Sequence, residues 1–489
     1  MSHCTARAPL RTAQARSRHT GTLIRGSSFT MQLDLSAAVQ LIAEAALAGP
    51  SKHASVVERI VAVVGADPPW CHDVATLAVQ RFAYCWREAS PEDLALLIVD
   101  VPAFAAAWSG VDRPTFVRVL KRVPTQVAPP VSLAHISIPL LPTLADLADW
   151  LELRSTDLEW LADRWRVEGH ARRLHHYGYH ACEKRDGRYR LIERPKPLLR
   201  SAQHKILHQI LDHIPVHAAA HGFCKRRNIV SFAAPHAGQA MVLSFDLQDF
   251  FSSVTAGRVH AIFRTLGYPF AVARAITALT TNRVPSAYFD APPLRGKFTW
   301  HERERLRARH LPQGAATSPA LANLCAFRLD MRLSALARAL GARYTRYADD
   351  LAFSGGSVLA RASERLSIQV AAIALEEGFE VHSRKTHGMP RGVRQQLAGV
   401  VINRHPNLAR DCYDRCKAVL HNCALHGPAS QNREAHGDFR AHLMGKVAHA
   451  TMLNPRRGAK LKVLFDRIIW PEDAPARPPD DGTVHAMPQ

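Results

Sequence analysis

The chain has 489 residues, 47% of them hydrophobic, with 63 Lys and Arg against 42 Asp and Glu and a formal net charge of +21. That length holds two or three domains with cores of their own, and a basic excess spread along the chain points to a polyanionic partner, nucleic acid foremost. No run reaches the roughly 18 apolar residues of a membrane span, and nine cysteines without a CxxC pair argue for free thiols in the cytoplasm rather than a disulfide framework.

Residues 1–30 contain five Arg and no acidic residue. They read as a disordered basic tail; a transit-peptide-like leader, or an upstream start with Met31 as the true one, are the alternatives. An all-helical N-terminal module is expected over 31–140, with apolar residues at helical spacing in 37–48, 54–64, 74–89 and 91–107. Pro129-Pro130 marks a linker at 127–130, which 139–142 continues. Two short amphipathic helices follow at 144–151 and 157–161. Strand character then appears at 177–179, 188–193 and 241–247, with a helix at 199–214 between, so the body is α+β. Residues 471–489, rich in Pro and Asp, read as a disordered tail.

Three elements carry chemistry. In Met241-Val242-Leu243-Ser244-Phe245-Asp246-Leu247, strand alternation puts Leu243, Phe245 and Leu247 on one face and Ser244 and Asp246 on the other. In 343–356, two β-rich runs flank Ala348-Asp349-Asp350, which reads as a hairpin. Adjacent carboxylates at a turn repel one another; hard divalent cations would remove that cost, whereas the dipeptide alone also fits a solvated turn. In Leu311-Pro312-Gln313-Gly314-Ala315-Ala316-Thr317-Ser318-Pro319, Ser318 is the expected N-cap of a helix with Pro319 at its first position. Leu329, Leu333, Leu336 and Leu340 then mark a buried stripe. Two possible metal clusters fit no standard zinc spacing: Cys412, Cys416 and Cys423 with His421 and His426, and His170, His175, His176 and His180 with Cys182. The first reads as a helix carrying small thiols.

Taken in order, Phe245-Asp246-Leu247-Gln248-Asp249-Phe250-Phe251, Leu311-Pro312-Gln313-Gly314 with Thr317-Ser318-Pro319, and Tyr347-Ala348-Asp349-Asp350 resemble the palm motifs of reverse transcriptases. The wording is most similar to the bacterial retron-type branch, and the resemblance extends over 144–470. It implies that Asp246, Asp349 and Asp350 are the catalytic aspartates holding two Mg²⁺ ions. It also implies that Phe251 is the bulky gate against a ribose 2′-hydroxyl, that Gln313 contacts the incoming nucleotide, and that Arg227 and Lys385 are basic residues on its phosphates. Arg194, Lys196 and Arg200, with Gln203, resemble the first fingers motif. Three departures stand out. Phe232-Ala233-Ala234-Pro235-His236 has Phe where the branch carries Asn. Leu397-Ala398-Gly399 stands for Val-Thr-Gly, and Ala316 stands where many relatives have Pro.

The implied architecture is a right-hand polymerase: fingers 141–240, palm 241–404 with an insertion at 285–310, and a helical thumb 405–470. The basic run 303–309 of the insertion is a candidate helix facing nucleic acid. The implied reaction is RNA-directed DNA synthesis from dNTPs. Its implied partners are a structured non-coding RNA that serves as template and primer, and the branched RNA-linked DNA product, in anti-phage defence; no membrane is implied and any effector protein is unspecified. Other bacterial reverse transcriptases (group II intron, diversity-generating or abortive-infection type) and a catalytically idle RNA-binding scaffold remain alternatives.

Overall fold

The computed structural model describes residues 33–470, apart from 87–88, 112, 121–125, 163–174, 185–186 and 293. The two expected tails, 1–30 and 471–489, and His170 lie outside the described residues. The chain divides into two compact units, one of 33–129, 140–152 and 264–274, the other of the remaining described residues.

The first unit is built on the helices Leu35–Leu47, His53–Val64, Pro69–Phe82, Pro91–Ile98, Pro102–Ser109 and Leu144–Leu151. Asp34 starts the first by accepting the Ala37 N–H at 2.7 Å, and Gly65, at φ 78°, ends the second in the left-handed cap that glycine favours. Ile42, Ile60, Trp70, Val74, Ile98, Phe104 and Phe116 are among the side chains of one continuous core. The run expected as one helix over 91–107 is two. Pro102 has no N–H to give back to the preceding turn, so the chain breaks at 99–101 and Pro102 opens a new helix. The helix expected over 74–89 begins earlier, at Pro69, and tightens into a 3₁₀ turn at Ala83–Cys85. Thr143 and Asp146 close a reciprocal capping box on Leu144–Leu151.

The second unit contains a hairpin of β1 (Tyr177–Glu183) and β2 (Tyr189–Pro195). It also contains an antiparallel sheet of β3 (Met241–Asp246), β4 (Arg343–Tyr347), β5 (Asp350–Gly355) and β6 (His387–Pro390), in the order β4-β5-β3-β6. β3 is central. Leu243, Phe245 and Leu247 are buried as the alternation predicts, but so is Val242 on the opposite side, beside Phe232, Ala352 and Val400. Ser244 and Asp246 are half-buried on the Val242 side of the strand, and Asp246 stands at its end.

Thr317, not Ser318, stands at the N-cap of the helix Ser318–Cys325. The Ser318 hydroxyl instead donates to the Pro312 carbonyl at 2.7 Å, closing the loop in front of the helix. The leucine stripe belongs to a second helix, Phe327–Ala339, where Leu329 and Leu333 are buried. The insertion holds the helices Ser286–Asp290 and Trp300–Arg307 around its own core of Val284, Phe289, Leu294, Phe298 and Leu306, which also takes in Leu191 of β2. Arg410–His426, Phe439–Leu453 and Pro455–Phe465 pack on Leu420, Cys423, Leu443, Leu461 and Phe465. The expected cysteine-bearing helix is the first of these three. Among the described residues no helix is long and apolar enough to cross a membrane.

Candidate active site

Pairing register brings the acidic residues together. In the antiparallel pair β3–β5, Asp246 stands opposite Asp350, and the Leu247 N–H donates to the Asp349 carbonyl at 2.9 Å. Ala348 holds the turn between β4 and β5 at φ 55°, a left-handed conformation that a residue with a Cβ adopts at a cost. Burial, then the charge of Asp246, raises the pKa of Asp349. Burial, then the charges of Asp349 and Asp246, raises that of Asp350 to about 7.

This is an all-oxygen donor set whose charges oppose each other, the chemistry that hard divalent cations relieve. Among the described residues, however, no three acidic, His or Cys side chains are gathered tightly enough to hold an ion as they stand. Asp246 accepts instead from Lys385 Nζ, at 2.9 Å. Rotation about one or two side-chain bonds changes that grouping while the backbone register that sets Asp246 against Asp350 stays fixed.

A cleft opens over the carboxylates. Asp246 and Asp349 line it, with Phe251, Gln313 and Lys385. The Phe251 ring lies between Phe223, centroids 5.9 Å apart, and Phe250, at 5.6 Å. Gln313 is fixed through its backbone, whose carbonyl accepts the Glu193 N–H at 2.8 Å. Gly314, at φ 130°, lies where a Cβ would stand 2.7 Å from the Glu193 carbonyl, so this approach requires glycine. Glu193 is in turn buried against His310, at 2.9 Å.

The family model described as reverse transcriptase (RNA-dependent DNA polymerase) matches residues 182–397. The Retron Mx65 reverse transcriptase of Myxococcus xanthus is 40% identical over 295 residues, 59% of this chain and 64% of that protein. The Retron Mx162 reverse transcriptase of the same organism is 36% identical, covering 64% of each chain. The Retron Ec86 reverse transcriptase of Escherichia coli is 31% identical over 251 residues, 50% of this chain and 69% of that protein. The chain belongs to the retron reverse transcriptase family. The match spans about two thirds of the length of these relatives.

Within that family frame, several residues have placements that motif position does not reveal. Arg227 Nη1 donates to the carbonyls of His217, Ala218 and Ala220, bracing that turn, and Arg227 is not among the residues lining the cleft. Among the described residues, the Lys and Arg side chains that line it besides Lys385 are Lys184, Arg188 and Arg190 from the β1–β2 hairpin and Arg305 from the insertion. Arg190 stands on β2 and Arg188 in the turn just before it. Gln203 is buried, its amide donating to the Tyr177 hydroxyl and the Leu279 carbonyl. His236, retained in the departing Phe232–His236 element, is buried between the Ser354 and Thr345 hydroxyls, each at 2.7 Å. Burial, aided by Arg343, pushes its pKa down to about 3, so the ring stays neutral and ties β4 to β5.

The hairpin is anchored by a buried ion pair. Arg346 Nε and Nη2 donate to the two oxygens of Asp330 at 2.8 and 2.6 Å, with both side chains fully buried. Arg346 Nη1 reaches Asn323 Oδ1 at 2.9 Å and the Ala348 carbonyl at 3.0 Å, next to Asp349. Asn323 Nδ2 passes the connection on to the Gly222 carbonyl at 2.9 Å. A Cβ on Gly222 would stand 2.5 Å from the Ala348 backbone nitrogen. Gly222→Ala is therefore expected to destabilise the fold by about 1–3 kcal/mol, read as a lower melting temperature. A melting temperature within a degree of the parent would contradict this packing.

Proposed function

We propose that this chain is an RNA-directed DNA polymerase of the retron type. The observation that carries the reading is the meeting of Asp246 with the Asp349-Asp350 turn, with Asp246 and Asp349 lining a cleft beside cations, Phe251 and Gln313. The proposed architecture is a right hand with fingers 141–240, palm 241–404 and thumb 405–470.

Asp246, Asp349 and Asp350 would hold two Mg²⁺ ions, which when bound activate the attacking hydroxyl and stabilise the leaving pyrophosphate. The protein's own side chains supply the rest. Lys184, Arg188 and Arg190 neutralise the triphosphate of an incoming dNTP, the compensation that phosphoryl transfer rewards. Lys385 lies near enough to Asp246 to give a proton or a charge-assisted hydrogen bond to the pyrophosphate. Gln313, on its tethered loop, orients the nucleotide so that its α-phosphate meets the primer hydroxyl in line. Phe251 occupies the space a ribose 2′-hydroxyl would need. Phe251→Ala is expected to raise incorporation of rNTPs relative to dNTPs by roughly 10- to 100-fold, measured as the ratio of kcat/KM values; an unchanged ratio removes Phe251 from that role.

The proposed template is a structured non-coding RNA whose own hydroxyl primes synthesis, leaving a branched RNA–DNA product made in the cytoplasm and serving anti-phage defence. The names of the relatives support the retron type. Sequencing the nucleic acid that co-purifies with the protein tests it. One RNA species covalently joined to short DNA is the expected result; unbranched, heterogeneous nucleic acid would favour another bacterial reverse transcriptase.

A further inference from the structure

We propose that Arg305, on the insertion helix Trp300–Arg307, is a positioning residue that sets sugar selectivity by fixing the turn that carries Phe251. The inference rests on the polymerase reading above and goes beyond it, by giving the insertion a task.

The Phe251 turn is closed locally: the Ser253 N–H and the Ser252 hydroxyl donate to the Asp249 carbonyl at 2.9 and 3.2 Å, and the Val254 N–H donates to the Phe251 carbonyl at 3.2 Å. Asp249, two residues ahead of the ring, sits at φ 50°, in the left-handed region that Asp and Asn adopt more readily than other residues with a Cβ. What ties its side-chain face to the rest of the site comes from the insertion. Arg305 Nη1 donates to Asp249 Oδ2 at 2.9 Å, and Nη2 stands 3.6 Å from Glu380 Oε2. Both Arg305 and Asp249 are mostly buried, with side chains 29% and 26% exposed, so water screens the pair less than it would a surface pair. Glu380 also accepts the Gln248 N–H through its carbonyl at 2.7 Å. One guanidinium thus clasps the two segments that flank the Asp246 end of β3.

The clasp has a firm base. Leu306, next in sequence, is buried in the insertion core beside Leu191 of β2. The insertion is closed at its neck by paired backbone bonds between Asn282 and His310 and by the Val284 N–H on the Leu306 carbonyl. Its exit segment bonds back to the chain just beyond Phe251, through Leu311 N–H to Val254 O and Ala256 N–H to Arg309 O. The gate residue is therefore bracketed on both sides by one closed module.

The test compares Asp249→Asn, Arg305→Met and the double variant with the parent in primer extension, reading kcat and KM separately for a dNTP and its rNTP. Asn tolerates positive φ well, so Asp249→Asn weakens the ion pair while keeping the turn. The expected result is a roughly fivefold to tenfold loss of sugar discrimination in each single variant, with no further loss in the double variant. Two results would overturn the inference. In one, Arg305→Met raises KM equally for both sugars while Asp249→Asn does nothing, which makes Arg305 a phosphate contact. In the other, discrimination stays at the parental value in every variant. Failure of the parent to extend any primer would instead refute the polymerase reading, so the two failures are distinguishable.

Discussion

Asp350→Asn is expected to make the metal-free protein more stable at pH 8 while reducing nucleotide incorporation by about a thousandfold or more, the scale seen when a charge-stabilising group is lost from a reaction centre. The stability gain follows from the raised pKa. Asp350 titrates near 7 in the folded chain against an ordinary 3.8, so between these values the folded state keeps a proton that the unfolded state has released. Stability therefore falls as pH rises through that window, and the penalty is complete above it. At pH 8 it is on the order of a few kcal/mol, discounted because the carboxylate is not wholly removed from water. Thermal melting from pH 4 to 8 should show the variant and the parent converging at the acid end. Adding Mg²⁺ at pH 8 should raise the parent's melting temperature more than the variant's. Equal magnesium responses would mean that Asp350 does not hold the ion.

Arg346→Met should cost about 3–5 kcal/mol, because it leaves the Asp330 carboxylate buried without its partner. An apolar pair, Arg346→Met with Asp330→Leu, should recover part of that loss: neither charge then remains to be desolvated, but the buried Tyr344 hydroxyl loses its acceptor on Asp330. It should not recover incorporation, because the bond from Arg346 to the Ala348 carbonyl, which fixes the turn before Asp349, is still missing. If the double variant regains both stability and activity, the ion pair contributes packing alone.

How much the sequence reveals depends on how local each feature is. The Asp246 strand and the Asp349-Asp350 hairpin are legible because period-two alternation and turn position are local properties, and the paired sheet keeps both. The reverse transcriptase resemblance rests on the same short segments, and the family comparison agrees with it. The split of 91–107 was also locally written, in Pro102, but apolar spacing runs through the proline and hides it. Arg346 is different. A cation in a strand flanked by tyrosines looks like a surface residue, and only the fold brings Asp330, sixteen residues earlier, against it. Arg227 and Arg190 make the same point in opposite directions. Motif position favours Arg227, yet its guanidinium lies on three backbone carbonyls. Nothing local marks Arg190, yet the β1–β2 hairpin carries it to the cleft. The grouping of 264–274 with the N-terminal helices is likewise a tertiary fact without a local signal.

Primer extension on an RNA template with purified protein, dNTPs and Mg²⁺ decides whether the three aspartates form a polymerase centre. The parent should extend the primer, and Asp349→Asn and Asp350→Asn should not, when all three proteins melt cooperatively. A folded parent that extends nothing, or Asn variants that extend as well as the parent, would contradict that role.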